Sequence, residues 1–321
     1  SDICSRCSLF ILSVSICITL VSLLQPVNIN DEKTVLLDTV DKAVRSVFIE
    51  NLKSALNGKN LDYIVINHME PDHCAVIADV YEIYPDVKIV CNSKTLSMLK
   101  QFFDFENVDI DSSTMLVKEG DVLETGRHKL TFVMAPMVHW PEVMMEYEET
   151  EKILFAADAF GKFGALDTDE EWDCEARRYY FNIVGKYGMP VQTLLKKAAA
   201  LDIQIICPLH GPVLTENLPY YIDKYQVWSS YEPEDKGILV AYASIHGNTG
   251  DAARVFAKML EEQGAEKVAV ADLSRDDMAE VIEDAFRYDR MVLACATYDG
   301  GLFPCMEDFL AHLRSKTYRN R

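Results

Sequence analysis

Basic residues are scarce in this 321-residue chain. There are 31 lysines and arginines against 51 aspartates and glutamates, a formal net charge of −20. A surface of that sign repels phosphate backbones and anionic lipid, which excludes nucleic acid as a partner and basic docking onto membranes. Phosphate-loop signatures are absent. Neither G-x-x-x-x-G-K-[ST] nor G-x-G-x-x-G occurs, so a nucleoside-triphosphate P-loop is excluded and a dinucleotide site of the usual kind is disfavoured. No second C-x-x-C accompanies Cys4 and Cys7, as a rubredoxin-type centre or zinc ribbon requires. The nine cysteines are odd in number and spread from Cys4 to Cys305. Disulfide scaffolds are normally short and even-numbered, so these read as reduced thiols in a reducing cytoplasm. Internal repeats and low-complexity tracts are also missing.

Long apolar runs are nearly absent, with one exception. Residues 7–30 carry no formal charge, and 9–24 are strongly apolar. That run is shorter than the ~20 residues that usually span a bilayer. A single arginine precedes it, and no clear small-x-small cleavage site follows. Residues 1–30 are therefore set apart as an atypical apolar segment, with a membrane or secretory location as the alternative to the cytoplasm.

What is present is ordinary globular usage, 49% hydrophobic and 26% charged, in a chain long enough for about two domains. From residue 31 the texture is α/β. Apolar strands are expected at 34–37, 63–67, 87–91, 130–135, 153–157 and 203–207. Helices are expected over 44–56, up to Phe103, and across 171–201 with a break near Gly188-Met189-Pro190. The polar, proline-containing stretch 231–236 reads as a linker. Beyond it run strand 238–243, helix 250–263, strand 268–272, helix 276–286 and strand 290–296, the βαβαβ order of a doubly wound parallel sheet.

The densest chemistry is His68-Met69-Glu70-Pro71-Asp72-His73, directly after strand 63–67. Four potential metal ligands fall within six residues. Pro71 disfavours a helix, so an exposed loop is expected. His139 follows strand 130–135, Asp158 ends strand 153–157, and His210 follows strand 203–207. A lone histidine or acid at a strand end is normally a structural or solvated residue. Seven such positions past the C-terminal ends of strands point instead to a metal site. Four imidazoles and three carboxylates exceed the four ligands of one tetrahedral zinc, so two metals are expected, with Asp158 as the natural bridge. The donor set suits iron, manganese or zinc.

These residues carry a resemblance. The loop resembles the H-x-[HE]-x-D-H signature of the metallo-β-lactamase fold, with Glu70 where its hydrolases have histidine. Together with Val138-His139-Trp140-Pro141, Ala157-Asp158-Ala159-Phe160-Gly161 and Pro208-Leu209-His210-Gly211-Pro212, it looks like the flavodiiron proteins (A-type flavoproteins). The resemblance implies that His68, Glu70 and His139 hold one iron, that Asp72, His73 and His210 hold the other, and that Asp158 bridges. It implies a metallo-β-lactamase-like αββα sandwich over 31–230, followed by a flavodoxin-like domain over 237–321.

In that second domain the loop Ser244-Ile245-His246-Gly247-Asn248-Thr249 lies between the first strand and helix, where backbone N–H groups and hydroxyls cradle phosphate. A second loop, Thr297-Tyr298-Asp299-Gly300-Gly301, follows the third strand, where glycines permit close approach to a flat ring. Together they resemble the FMN site of flavodoxins. Three of the five strands of such a sheet fit before Arg321, so the domain reads as partial. By resemblance the chain is an oxidoreductase that takes electrons through FMN from a separate donor such as rubredoxin. It would reduce O2 to water or NO to N2O, as a head-to-tail homodimer. The alternatives are a dinuclear zinc hydrolase of the same fold and an inactive truncated remnant.

Overall fold

The computed structural model describes the backbone of Ile11–Ser13 and residues 31–105, 109–165 and 171–320. Internal contacts divide the chain into two units. One comprises Ser1–Asp169 and Thr193–Tyr220, and the other Glu170–Gln192 and Tyr221–Arg321. The Cys4/Cys7 pair and nearly all of the apolar stretch 7–30 lie outside the described residues.

The first unit holds two five-stranded sheets. The first is wholly parallel, in the order β1-β2-β3-β4-β5, built from β1 (Ile11–Ser13), β2 (Val35–Leu37), β3 (Tyr63–Val65), β4 (Lys88–Cys91) and β5 (Thr114–Leu116). The second runs β10-β9-β8-β7-β6, from β6 (Val122–Glu124), β7 (Lys129–Met134), β8 (Met144–Glu148), β9 (Ile153–Phe155) and β10 (Ile205–Cys207). Its neighbours are antiparallel except β9 and β10.

Successive strand side chains point to opposite faces, and the first sheet buries both. Val35, Leu37, Val65 and Val90 meet Leu130, Phe132, Met144, Ile153 and Phe155 of the second sheet in one core. Leu36, Ile64, Ile89 and Cys91 face the other way. They pack with Phe48, Leu52 and Leu56 of α1 (Arg45–Leu56), and with residues of α2 (Pro71–Cys74), α3 (Ile77–Ile83) and α4 (Ser93–Phe102). Strands covered on both sides read as unbroken apolar runs, which is why these were visible in the sequence. Each such buried aliphatic or aromatic side chain contributes about 1.5–3 kcal/mol. The sandwich expected from the metal-loop resemblance is the fold observed.

Three local expectations are corrected. Residues 71–74 are one turn of helix, not an exposed loop, and His73 within it is buried. Proline breaks a helix from inside but is well suited to its first position, where Pro71 stands. The break in 171–201 lies earlier than Gly188. A π turn at Tyr180–Val184 and a 3-10 turn at Gly185–Tyr187 separate α5 (Trp172–Tyr179) from α6 (Gly188–Ala198). Pro190 sits in the first turn of α6, where its missing N–H costs nothing. Finally, β8 was not anticipated: its Glu146 and Glu148 are both fully buried, which hides the usual alternation.

The second unit adds α7 (Leu218–Ser230), β11 (Asp235–Ala243), α8 (Asn248–Glu262), β12 (Val268–Asp272), α9 (Met278–Arg287) and β13 (Tyr288–Cys295). The small hairpin β14 (Thr297–Tyr298) and β15 (Gly301–Leu302) and α10 (Pro304–Ser315) complete it. The three long strands are parallel in the order β12-β11-β13. Within 231–236, Tyr231 is buried. Glu234 accepts hydrogen bonds from Arg177 at 2.7 and 2.9 Å and from Trp228 Nε1 at 2.8 Å. Among the described residues, no helix is long and apolar enough to cross a membrane.

Candidate dinuclear metal centre and flavin loops

The seven metal-ligand candidates meet at one end of the two sheets, and backbone ties hold each loop there. Asp38, just past β2, accepts from the N–H groups of Asn67 at 2.7 Å and His68 at 3.3 Å. Thr39 donates to the His73 carbonyl from its N–H at 2.7 Å and its hydroxyl at 2.9 Å. The 139 loop turns through Met137 N–H to Trp140 O at 2.7 Å, and Leu209 N–H bonds Ala157 O at 2.8 Å. The ends of β9 and β10 thereby place Asp158 beside His210.

Two donor sets result: His68, Glu70, His139 and Asp158, and Asp72, His73 and His210. In each set the potential ligand atoms lie within 4.8 Å of one another. Asp158 faces both. Its Oδ2 is 3.0 Å from His139 Nε2 and 3.4 Å from His68 Nε2. Its Oδ1 is 3.1 Å from His73 Nε2 and 3.5 Å from His210 Nε2. Glu70 Oε2 lies 3.1 Å from His139 Nε2 and 3.3 Å from His68 Nε2. Asp72 Oδ2 lies 3.4 Å from both His73 and His210 Nε2. Side-chain exposure rises from 0% at His68 and 1% at Asp158 to 34% at Asp72 and 36% at Glu70, so the site opens to solvent on the Glu70–Asp72 side.

The carboxylates draw positive charge to the centre. Hydrogen bonds from His139 and His68 hold Glu70 down to about 2. Burial disfavours the charged form of Asp158, but the charges of His73 and His68 outweigh it and hold its pKa well below the usual range. At His68 burial likewise opposes charge, yet Asp158, Glu142 and Glu70 push its pKa up to about 10. A metal ion held at this point would take the place of that proton.

The residues fit a pair of metals. Asp158 Oδ1 and Asp72 Oδ1 are buried without a hydrogen-bond partner, and the imidazole Nε2 atoms converge on shared points. Glu142 supports the first set: its Oε1 accepts from His68 Nδ1 at 2.9 Å and from Met69 N–H at 2.9 Å. With Nδ1 donating, the Nε2 lone pair of His68 is left for a metal.

In the second unit the two loops expected to hold FMN stand at the same end of neighbouring strands. The 244–249 loop leaves β11 and enters α8; the 297–301 loop leaves β13, whose Cys295 is paired with Ala243. Gly247 adopts φ 92 and no side chain caps α8, so N–H groups of its first turn remain for an anion. Thr297-Tyr298 and Gly301 form the tight hairpin, with Asp299 and Gly300 at positive φ. Ile245 and Tyr298 are exposed beside these loops.

Sequence reasoning missed Glu142, Asp38 as a loop anchor, and Asn67. A signal existed for Asp38, an acid ending a buried strand as Asp158 does. Glu142 offered only its nearness to His139.

Comparison with known proteins finds relatives that cover most of the chain. A family model described as "ODP family beta lactamase" matches residues 21–211. An uncharacterized protein of Methanocaldococcus jannaschii is 32% identical over 297 residues, covering 89% of this chain and 72% of that protein. The anaerobic nitric oxide reductase flavorubredoxin of Aliivibrio fischeri is 31% identical over 303 residues, covering 91% of this chain. The chain spans 60% of that relative's length. Among solved structures, the flavodiiron protein of Giardia intestinalis aligns with a TM-score of 0.83 at 23% identity, covering 90% of this chain and 72% of that one. Rubredoxin oxygen:oxidoreductase of Desulfovibrio gigas aligns with a TM-score of 0.81 at 24% identity, covering 91% and 74%. At these identities the two solved structures speak to the fold.

Proposed function

Because the chain belongs to the flavodiiron (A-type flavoprotein) family, we propose that it is an oxidoreductase that reduces O2 to water or NO to N2O at a dinuclear non-haem iron site. The observation that carries this reading is Asp158, whose two oxygens face two separate sets of histidine and carboxylate ligands. His68, Glu70 and His139 would hold one iron and Asp72, His73 and His210 the other. Glu70, in place of a neutral imidazole, adds negative charge that favours oxidised iron. That choice favours redox chemistry over the zinc hydrolase reading. Glu142 keeps His68 in the ligating tautomer.

When bound, the two irons supply substrate coordination and FMN supplies single-electron transfer. For FMN, the α8 N-terminus with Ser244, Gly247, Asn248 and Thr249 would hold the phosphate. Ile245 and His246 would line that loop, and Thr297, Tyr298, Asp299, Gly300 and Gly301 would border the ring. A separate donor of the rubredoxin type would deliver electrons, and a head-to-tail homodimer would bring one subunit's flavin to its partner's metals. A cytoplasmic setting is supported by the six free cysteines among the described residues.

The test is anaerobic purification with iron, zinc and FMN quantified together, followed by O2 and NO consumption with reduced rubredoxin. The expected result is about two irons per chain and turnover of at least one gas. Iron well below one per chain refutes the reading, as does zinc with hydrolytic activity and no gas uptake.

A further inference from the structure

Behind the His68 loop, Asp38 Oδ2, Asn67 Oδ1 and Glu146 Oε1 are buried without a hydrogen-bond partner among the described residues. The same three side chains are joined through their other polar atoms. Asp38 Oδ1 accepts from the N–H groups of Asn67 and His68, and Asn67 Nδ2 donates to Glu146 Oε2 at 3.0 Å. The Asn67 carbonyl also accepts from Met144 N–H at 3.1 Å, at the start of β8. All three unpartnered atoms are acceptors, so what the group lacks is a donor.

Glu146 is the member least able to keep a charge. It is fully buried. Directly opposite it on β7 and β9 stand Phe132 and Phe155, and residues opposite one another share a face of the sheet. Both phenylalanines belong to the apolar core between the two sheets. No basic side chain pairs with Glu146 among the described residues. Burial and the charge of Asp38 push its pKa well above the ordinary carboxyl range, and the Asn67 hydrogen bond opposes them only in part. A buried carboxyl in such surroundings takes up a proton rather than stay charged. Asp38 differs, because two backbone N–H donors favour its carboxylate. Asn67 does not titrate.

We propose that Glu146 is held as the neutral acid, and that its Oε1–H supplies the hydrogen bond that Asp38 Oδ2 lacks. One proton then turns an acceptor into a donor and satisfies two of the three atoms together. With both oxygens engaged, Asp38 is fixed where it holds the N–H of His68. Glu146 is thus a positioning residue, acting on the first donor set through Asp38 and Asn67. The hydrogen bond belongs to the chain without metal; its consequence for iron rests on the dinuclear reading above.

Infrared absorption of the full chain at neutral pH, wild type minus Glu146→Gln, is the direct test. Gln keeps an oxygen for Asn67 and an N–H for Asp38, so the two proteins differ in one carboxyl group. The expected difference is a carboxylic-acid C=O band that shifts on labelling glutamate with carbon-13. Carboxylate bands in its place, from a bare ion or one paired with a retained cation, overturn the proposal. Iron retention against a chelator is the second readout. Glu146→Gln is expected to stay within about threefold of wild type, and Glu146→Met, with neither donor nor acceptor, to fall about tenfold. Equal loss in both variants, or equal retention in all three proteins, overturns the positioning role, because the donor then makes no difference. If the Met variant does not fold, the infrared band and the Gln variant decide. Wild type that shows the acid band but holds no iron supports the hydrogen bond and overturns the dinuclear reading alone.

Discussion

Nε2 of His73 and Nε2 of His210 stand 3.0 Å apart, although 137 positions separate the two residues in the chain. Two imidazoles meeting through these atoms share a single target. The expected consequence is that His210→Ala lowers bound iron from about two to about one per chain, with the fold intact by circular dichroism. Elemental analysis of the purified variant checks this. An unchanged iron content would remove His210 from the ligand set.

Glu142 should matter for metal without touching it. Its carboxylate orients His68 from a site where both side chains are 0% exposed. Glu142→Ala is expected to weaken metal retention by 10–100-fold, the usual loss for a partner behind a metal-binding histidine. Competition against a chelator of known affinity measures the change.

Arg177 should be a stability residue of the second unit. Replacing it with Met leaves Glu283 buried without its cation, while Glu234 keeps only the cation Lys224. Breaking a buried pair in this way costs about 3–5 kcal/mol. Urea denaturation followed by tryptophan fluorescence is a suitable readout, since Trp228 donates to Glu234.

Glu234 should give the same unit an acid-sensitive component. Burial raises its pKa, but Arg177, Lys224 and Trp228 outweigh burial and bring it to about 2, against 4.5 ordinarily. A depressed carboxyl stabilises the fold fully above its unfolded pKa and loses that contribution as pH falls through its folded one. The window is therefore about pH 4.5 down to about 2, and the contribution is on the order of 3 kcal/mol. Glu234→Gln should flatten the fall in unfolding free energy across that window. An unaltered pH profile would contradict the assignment.

Flavin binding should depend on the hydroxyls of the first loop. Ser244→Ala with Thr249→Ala is expected to weaken FMN binding by about tenfold, from lost hydrogen bonds to the phosphate. Quenching of FMN fluorescence on titration with protein gives the constant.

The chemistry of this chain was more legible in its sequence than its packing. His68, Glu70, Asp72 and His73 stood out because four donors in six residues are rare, and His139, Asp158 and His210 because each follows an apolar strand. Their grouping into two sets was given by resemblance; the fold brings the potential ligand atoms of each set within 4.8 Å of one another. The helical turn at Pro71 was hidden because proline carries opposite meanings inside a helix and at its start. Strand β8 was hidden because Glu146, fully buried and accepting from Asn67 Nδ2 at 3.0 Å, looks like a solvated acid.

The proposed metal ligands come from both sheets. His68, Glu70, Asp72 and His73 follow β3 of the first, whereas His139, Asp158 and His210 follow β7, β9 and β10 of the second. A metal pair here would be a clasp across the open end of the sandwich, adding coordination between layers that apolar contact and the Asn67–Glu146 hydrogen bond already join. Neither layer can then peel away without breaking coordination. Metal loading should fuse two separately fraying sheets into one cooperative unit, with amide protons of β3 and β9 exchanging at a common rate.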